Sequence, residues 1–294
     1  MNDDAPADLF DLLGHETRVD ILQALDACRR GSGSYPVEFS ALYDATGAEV
    51  TSTFSYHLTQ LEGVYVDGTD DGYRLTSAGD WIVRLLYAGI TNDATDVDKG
   101  SVETVCPACG LVELVTEGRD EYLGLVCPSC DRRRYDVPLS PGTVDGRTTD
   151  EIVTAVGRTI RHEFRSALDD ICPTCGGRLD ESIDVPFDDP RDRFYRAECT
   201  ACRRVVKLAA WYRLFEHPAV IGFYWDHGVD LLGRTVWELG VLADDWERAI
   251  VGDGPIIEVR IDESSERLRL ETDGKYGLLS AERTRVVDGA GRPD

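Results

Sequence analysis

Eight of the nine cysteines fall into four C-x-x-C pairs, a spacing that suits metal binding. The pairs are Cys106/Cys109, Cys127/Cys130, Cys172/Cys175 and Cys199/Cys202. A C-x-x-C knuckle lets two thiolates reach one ion from a tight turn, and two knuckles complete a tetrahedral set around zinc. Gly110, Gly176 and Gly177 follow their knuckles, where small residues let backbone N–H groups approach sulfur. We therefore predict two zinc ribbons with two structural zinc ions per chain.

Other uses of the same cysteines stay open at this point. Redox dithiols also carry C-x-x-C, and iron–sulfur clusters also take four thiolates. Four evenly formed pairs, two of them followed by glycine, fit ribbons better. Spacing alone also allows a crossed arrangement that joins Cys106/Cys109 to Cys199/Cys202. A closed four-cysteine site leaves no open position at the metal, so we do not expect an enzyme.

Arginines near the cysteines have two open roles. They are Arg132, Arg133 and Arg134 after the fourth cysteine, Arg203 and Arg204 after the eighth, and Arg158, Arg161 and Arg165 between the ribbons. Guanidinium groups bind phosphate bidentately, so these side chains are candidates for nucleic-acid contact. The alternative is a salt-bridged surface, because residues 101–217 hold 16 basic and 21 acidic residues. Partner docking and simple stabilisation also remain open as the purpose of the ribbons.

The elements around the cysteines follow from apolar spacing. Residues 149–168 predict a helix with Ile152, Val156, Ile160 and Phe164 along one side. Residues 208–240 are aromatic-rich and predict mostly helix. Alternating apolar residues from 246 to 287 predict a small antiparallel sheet.

Composition restricts the compartment. The formal net charge is −24, from 31 basic and 55 acidic residues, and 42% apolar content with five Trp predicts packed cores. Dispersed acid with almost no Lys resembles proteins of salt-loving archaea, whose cytoplasm holds molar potassium chloride. The start MNDDAPAD does not resemble a secretory signal, and no run of 18 apolar residues predicts a membrane span. We expect a cytoplasmic protein whose cysteines are not in disulfides.

The first 90 residues predict helix, helix, helix, hairpin, helix. Residues 7–28 have helical spacing with a break at Gly14, and Ser40 is expected to cap a short helix that Gly47 ends. Thr51 or Ser52 is expected to cap the next helix. We then predict strands at 64–66 and 73–75 around a polar turn, and a last helix from Thr76 or Ser77 to Tyr87. This order is typical of a winged helix-turn-helix.

Three motifs in this order resemble arsenic-repressor-like (ArsR-like) winged-helix regulators, most closely a haloarchaeal subgroup. They are GHETRVDIL at 14–22, TSTFSYHL at 51–58 and GYRLTSAG at 72–79. The resemblance covers residues 6–90 and implies double-stranded DNA as partner, with a homodimer on two half-sites. It also implies which side chains contact DNA: Thr51, Ser52, Ser55, Tyr56 and Thr59 in the major groove, with Arg74 beside the wing.

The DNA-facing helix has no Lys or Arg, and residues 1–100 hold 6 basic and 18 acidic residues. Such a surface repels DNA in dilute buffer. Log affinity falls with log salt by about 0.9 per neutralised phosphate, so phosphate-pairing cations lose their advantage in molar salt. The Debye length there is about 3 Å, so the acids repel weakly too. Short-range contacts from hydroxyl, amide and methyl groups to base edges survive.

Several other histidine, cysteine and aspartate residues have an ordinary structural explanation. His57 is expected to pack where two helices meet, and Cys28 to be a buried apolar residue. The family's metal-sensing Cys-x-Cys is absent from the helix before the wing, so we do not expect metal sensing there. His217, Asp226 and His227 are candidates for a polar pocket among aromatic residues, although helix ends explain them as well.

The predicted fold class is α+β and multidomain. We expect a winged helix-turn-helix at 1–91, a linker at 92–102, two zinc ribbons with an intervening helix at 103–216, and a helical and small β-sheet region at 217–294. The predicted function is a DNA-binding transcriptional regulator. The alternative is a protein-interaction adaptor of the transcription or RNA machinery that does not bind DNA.

Overall fold

A computed structural model describes residues 6–31, 35–89, 97–106, 109–119, 122–184, 194–251 and 256–286. The chain divides into two compact units. One runs to residue 93 and takes in Ser140–Gly142, and the other contains the rest. The fold is mixed α/β with several small antiparallel sheets. Among the described residues, no helix combines the length and apolar character needed to cross a membrane.

The first unit contains five helices and one hairpin. In chain order they are α1 (Pro6–Asp11), α2 (Glu16–Arg30), α3 (Phe39–Thr46), α4 (Thr51–Leu61), β1 (Val66–Thr69), β2 (Gly72–Leu75) and α5 (Ser77–Tyr87). Apolar residues at helical spacing on α2 and α4 meet in its core, where Leu22, Leu25, Phe54 and Leu61 are fully buried. The predicted helix break at Gly14 and the predicted last helix are confirmed, with Thr76 as its N-cap.

Two predicted N-caps are wrong. The cap of α3 is Glu38 rather than Ser40, because Val37 pairs with Tyr73 as an isolated bridge and keeps the chain extended until Glu38. The cap of α4 is Val50, which makes no side-chain capping bond. At the other end of α3, Gly47 has φ +64° and is the left-handed C-cap, as predicted.

The predicted bounds of the hairpin strands are wrong. The strands begin two residues later on β1 and one residue earlier on β2 than expected, and Asp70 and Asp71 form the turn. Polar residues assigned to the turn instead pair across the strands, with Asp67 opposite Arg74 and Thr69 opposite Gly72. Gly72 has φ +132°, and a Cβ there would lie 2.4 Å from the Val37 carbonyl oxygen, so only glycine fits beside the bridge.

The described part of the second unit contains three antiparallel sheets and four α-helices, the first of which begins within Ser140–Gly142 of the first unit. The first sheet has the order β3 (Ser101–Glu103), β4 (Glu113–Arg119), β5 (Tyr122–Val126), β6 (Arg133–Pro138). The second is β7 (Leu179–Asp184), β8 (Phe194–Cys199), β9 (Val205–Ala209), and the third is β10 (Glu247–Val251), β11 (Ile256–Glu263), β12 (Glu266–Thr272), β13 (Leu278–Arg285). The helices are α6 (Pro141–Val144), α7 (Thr149–Leu168), α8 (Pro218–Asp226) and α9 (Val236–Asp244), with a 3-10 helix at Ala210–Glu216.

One hydrophobic core runs through the second unit. It joins buried cysteines of both clusters to α7, the aromatic segment and the last sheet, including Phe164, Phe215, Trp246 and Val259. The bounds of α7 are the predicted ones, and its N-terminus has a capping box between Thr148 and Glu151. The predicted final sheet is confirmed over the described residues.

Two predicted domain boundaries, at the end of the linker and at residue 216, do not coincide with breaks in the structure. Residues 92–96 of the predicted linker lie outside the described residues, and Ser101–Glu103 forms the first strand of the second unit. Residues on both sides of the predicted boundary at 216 share the one core. The predicted ribbon region and the predicted C-terminal region therefore share one hydrophobic core.

Candidate metal centres and nucleic-acid interface

The first cluster joins two turns of the first sheet. Cys106 and Cys109 lie between β3 and β4, and Cys127 and Cys130 lie between β5 and β6. The sulfurs of Cys106 and Cys130 are 3.7 Å apart, and those of Cys109 and Cys127 are 3.5 Å apart. Gly110 has φ +73° and donates its N–H to the Cys106 carbonyl at 2.8 Å, which closes the first knuckle.

The second cluster joins the end of α7 to the second sheet. Cys172 and Cys175 precede β7, Cys199 is the last residue of β8, and Cys202 lies in the turn before β9. The Cys172 and Cys202 sulfurs are 3.6 Å apart, and the Cys175 and Cys199 sulfurs 3.5 Å. A Cβ on Gly177 would lie 3.2 Å from the Cys175 sulfur and 3.3 Å from the Cys199 sulfur. The prediction that a small residue is needed there agrees with this crowding.

Each cluster is built from consecutive pairs. The four ligand atoms of each group lie within 4.8 Å of one another. This grouping rules out the crossed arrangement, because every cysteine already lies among its own four. Zn–S bonds of about 2.3 Å in a tetrahedron separate sulfurs by about 3.8 Å, close to the distances found. The two clusters can hold two metal ions, and their donor set is compatible with zinc.

Backbone N–H groups stabilise the thiolate form of some of these cysteines. The N–H groups of Cys202 and Ala201 lie 3.4 Å from the Cys199 sulfur. Chiefly through the Cys202 N–H, against the opposing effect of burial, they lower the pKa of Cys199 to about 6. Burial raises the pKa of Cys172, but hydrogen bonds from Cys175 and Thr174 N–H outweigh it and leave that pKa lowered. Such donors stabilise the thiolate that a metal requires.

Most arginines near the clusters are held by acids or carbonyls. Arg161, whose side chain is 11% exposed, pairs with Glu216 at 2.9 Å, and Arg165 pairs with the same carboxylate at 3.0 Å. The other engaged members are Arg133 with Glu117, Arg158 with the Gly233 carbonyl, Arg203 with Glu198 and Arg204 with Glu163. Arg132 is exposed, and the Arg134 side chain lies outside the described part. The salt-bridged alternative thus accounts for most of this set.

The predicted DNA-contacting side chains of α4 are all exposed, whereas Phe54, His57, Leu58 and Leu61 of the same helix are buried. The exposed set is Thr51, Ser52, Ser55, Tyr56 and Thr59, with Tyr56 61% exposed. Their hydroxyl groups make no hydrogen bond to another residue within the described ranges. The outer face of α4 therefore offers several unengaged polar groups.

Arg74, predicted to contact DNA beside the wing, forms an ion pair within the hairpin. It lies on β2 directly opposite Asp67 of β1, and its Nε and Nη2 donate to the Asp67 carboxylate at 2.8 and 2.6 Å. A phosphate contact from Arg74 would have to compete with this ion pair.

The other arginines of the first unit are also engaged. Arg29 and Arg30 hold the buried carboxylate of Asp26 at 2.5 and 2.7 Å. Arg29 and Arg84 pair with Asp80, and Arg18 donates to the Asp11 carbonyl at 3.3 Å. None of the described residues of this unit is Lys. Every arginine in the described part of the first unit therefore already has an acidic or carbonyl partner, with which a DNA phosphate would have to compete.

Tyr56 packs against His57, which in turn contacts His15. The sequence predicted the packing of His57 but not the contact with His15. His57 is 6% exposed, as expected for a packed residue, and its ring lies 3.9 Å from that of His15 and 5.2 Å from that of Tyr56. Burial, then the neighbouring His15 and Arg18, lower the pKa of His57. The quoted GHETRVDIL motif contains His15, but nothing in its spacing indicates that it contacts His57.

The remaining candidates are ordinary structural residues. His217 caps the N-terminus of α8 by accepting the Ala219 N–H at 3.1 Å, and His227 ends the same helix, so the two histidines do not share a pocket. Asp226 pairs with Arg283. Cys28 is half-buried against the core of the first unit rather than fully buried, because it lies near the exposed end of α2.

Comparison with known families gives two matches. The family model described as domain of unknown function DUF7351 matches residues 103–277, and the one described as domain of unknown function DUF7347 matches residues 6–86. The two matches fall on the two described units. No curated protein and no solved structure matches the chain.

Proposed function

The chain belongs to the DUF7351 family, and from that premise we propose that it is a DNA-binding transcriptional regulator of a salt-rich cytoplasm. In this proposal the first unit is an ArsR-like winged helix-turn-helix and the second holds two structural zinc ions. The observation that carries this proposal is the outer face of α4. Its exposed hydroxyl groups make no hydrogen bond within the described ranges, while the opposite face of the helix packs in the core.

The arrangement of the first unit supports this function. Helices α2, α3 and α4 precede a two-stranded hairpin, and the Val37–Tyr73 bridge adds a third chain segment beside it. A winged helix has this element order, and its second motif helix reads the major groove. Base edges accept hydrogen bonds from Ser, Thr and Tyr without any cation, which suits a helix without Lys or Arg.

The closed clusters support structural metal sites. Four thiols fill a tetrahedral shell, so a bound zinc ion has no open position for a substrate. Cys106, Cys127, Cys172 and Cys199 are also members of the hydrophobic core. We assign the two ions to holding this core together.

We also propose that DNA is bound by a homodimer. Trp81 and Leu85 lie one turn apart on α5 and are 52% and 39% exposed, an apolar face that a second copy would cover. A two-fold dimer matches two half-sites on DNA. Sedimentation velocity in molar potassium chloride tests this, and a strictly monomeric chain on DNA would contradict it.

A specific observation favours the adaptor alternative. All five arginines in the described part of the first unit are engaged, which removes the usual phosphate contacts. An adaptor would use the same exposed α4 face for a protein.

Recovery of genomic DNA with the tagged protein, made at the native salt concentration, separates the two functions. A regulator gives discrete enriched sites, and fluorescence anisotropy in molar potassium chloride shows tight binding to them. Tyr56→Ala should weaken that binding about 10-fold or more, since interface aromatic groups carry large shares of affinity. Tyr122→Ala removes a comparably exposed tyrosine from the second unit and should change nothing. Enrichment of protein partners without discrete DNA sites would favour the adaptor.

A further inference from the structure

The outer face of α4 lacks the side chains that identify guanine. Arg and Lys are the usual bidentate partners of guanine O6 and N7. Helix α4 contains neither, and the nearby Arg74 is held by Asp67. His57 of α4 is buried and faces His15, so it cannot take their place.

The polar groups that α4 does expose are arranged in one stripe. At 3.6 residues per turn, Ser52, Tyr56 and Thr59 lie opposite the buried side, and Gln60 lies beside them. The Gln60 side chain is exposed, and its amide makes no hydrogen bond to another residue in the described ranges. The stripe therefore offers one amide, one threonine methyl group and several hydroxyl groups.

These groups match one kind of base pair. In the bidentate pairing of Gln with adenine, the amide N–H donates to adenine N7 and the amide oxygen accepts from the N6 amino group. A threonine methyl group packs on the thymine methyl group. Hydroxyl groups can hydrogen-bond to any of the bases, so they add little discrimination between base pairs. A·T pairs are thus the pairs for which α4 carries selective chemistry.

We propose that α4 recognises A·T base pairs in the major groove, with Gln60 selecting adenine and the Thr59 methyl group selecting thymine. This inference rests on the proposed DNA-binding function and adds its substrate class. Gln60 was not among the side chains that the sequence motifs placed in the groove.

The test begins with selection of tight binders from a randomised duplex pool, using the full zinc-loaded chain in molar potassium chloride. The selected duplex is then remade with uracil for thymine, which removes only the methyl group, and with 7-deazaadenine for adenine, which removes the N7 acceptor. Affinities of wild type, Gln60→Ala and Thr59→Ser are compared on all three duplexes.

We expect the selected duplexes to be enriched in A·T pairs, and the affinities of the variants to fall in a specific pattern. Replacing thymine by uracil should weaken the binding of wild type several-fold. It should leave the affinity of Thr59→Ser unchanged, because that variant lacks the side-chain methyl group that packs on the thymine methyl group. The 7-deazaadenine duplex should bind wild type roughly 2- to 13-fold more weakly, the equivalent of one of the two hydrogen bonds of the bidentate pair, and should bind Gln60→Ala as tightly as the adenine duplex does. Thr53→Ser, an exposed change at the margin of the stripe, is the matched control and should behave as wild type.

The outcomes separate this inference from the function on which it rests. Tight selected duplexes with G·C pairs at the contacted positions, or equal losses on the analogues by wild type and variants, would overturn the A·T assignment and leave DNA binding intact. Failure to select any duplex above a scrambled competitor would overturn both.

Discussion

At the scale of single residues, the contact between His57 and His15 links the exposed tyrosine of α4 to the interior of the first unit. Tyr56 packs edge-on against His57, whose ring lies tilted by 36° against that of His15, the N-cap residue of α2. His57 Nδ1 is buried without a hydrogen-bond partner among the described residues. A proton on this ring would be buried beside His15 and Arg18, which explains why the pKa of His57 is lowered.

This lowered pKa predicts acid sensitivity of the first unit. The unfolded chain binds a proton at His57 near the ordinary value of 6.5, and the folded chain binds it only at lower pH. The stabilising contribution is therefore fully present above about 6.5 and is lost as the pH falls below it. Hydrogen exchange of α2 and α4 amides, corrected for intrinsic rates, should accelerate in this range. His57→Gln should flatten the dependence, whereas His162→Gln, at an exposed site, should retain it.

At the scale of elements, Gly157 sets how closely α7 approaches α9. A Cβ at Gly157 would lie 2.5 Å from Trp237 Nε1 and 2.9 Å from the Thr235 Cβ. Trp237 is buried and donates to the Val153 carbonyl at 3.0 Å, so it cannot move aside without losing that bond.

Gly157→Ala should therefore destabilise the second unit. Overpacking costs about 1–3 kcal/mol, which outweighs the gain of about 1 kcal/mol that alanine brings to a helix interior. Gly222→Ala on α8 has nothing within 4 Å of the added Cβ and should be neutral or stabilising. Urea unfolding of the two variants checks the opposite signs. Equal stabilisation by both would show that α7 and α9 have room between them.

The elements also show what the sequence could and could not predict. The bounds of α7 and the grouping of the cysteines follow from local signals, namely a capping box with apolar spacing and repeated C-x-x-C pairs. The cap of α3 and the bounds of the hairpin strands depend on the Val37–Tyr73 bridge and the Asp67–Arg74 pair, which join residues apart in sequence. The same limit hid His15 and the engagement of Arg74.

At the scale of the whole molecule, the two units have separate cores, and the candidate metal ligands belong to the second unit. The core of the second unit includes cysteines of both clusters, whereas the core of the first contains no fully buried cysteine. Structural zinc contributes about 10–16 kcal/mol in small zinc domains, as much as the whole stability of a typical domain, about 5–15 kcal/mol.

Chelation should therefore unfold the second unit and spare the first. Metal analysis should give two zinc ions per chain, and after treatment with a strong chelator hydrogen exchange should rise throughout residues 97–286 but not in α2 and α4. Cys28→Ser should keep both ions, while Cys199→Ser should lose metal. Full protection of the second unit after complete metal removal would contradict this role.

The single core that reaches both clusters has a consequence for how the ions are acquired. Removing one ion disturbs packing that the other cluster shares through Cys106, Cys172 and their neighbours. We therefore expect that occupancy of one cluster by metal would raise the affinity of the other, a reciprocal coupling between ligands at separate sites. The chain would load its metal in one cooperative step, and a cell short of zinc would hold a mixture of complete and empty molecules, with few half-loaded ones.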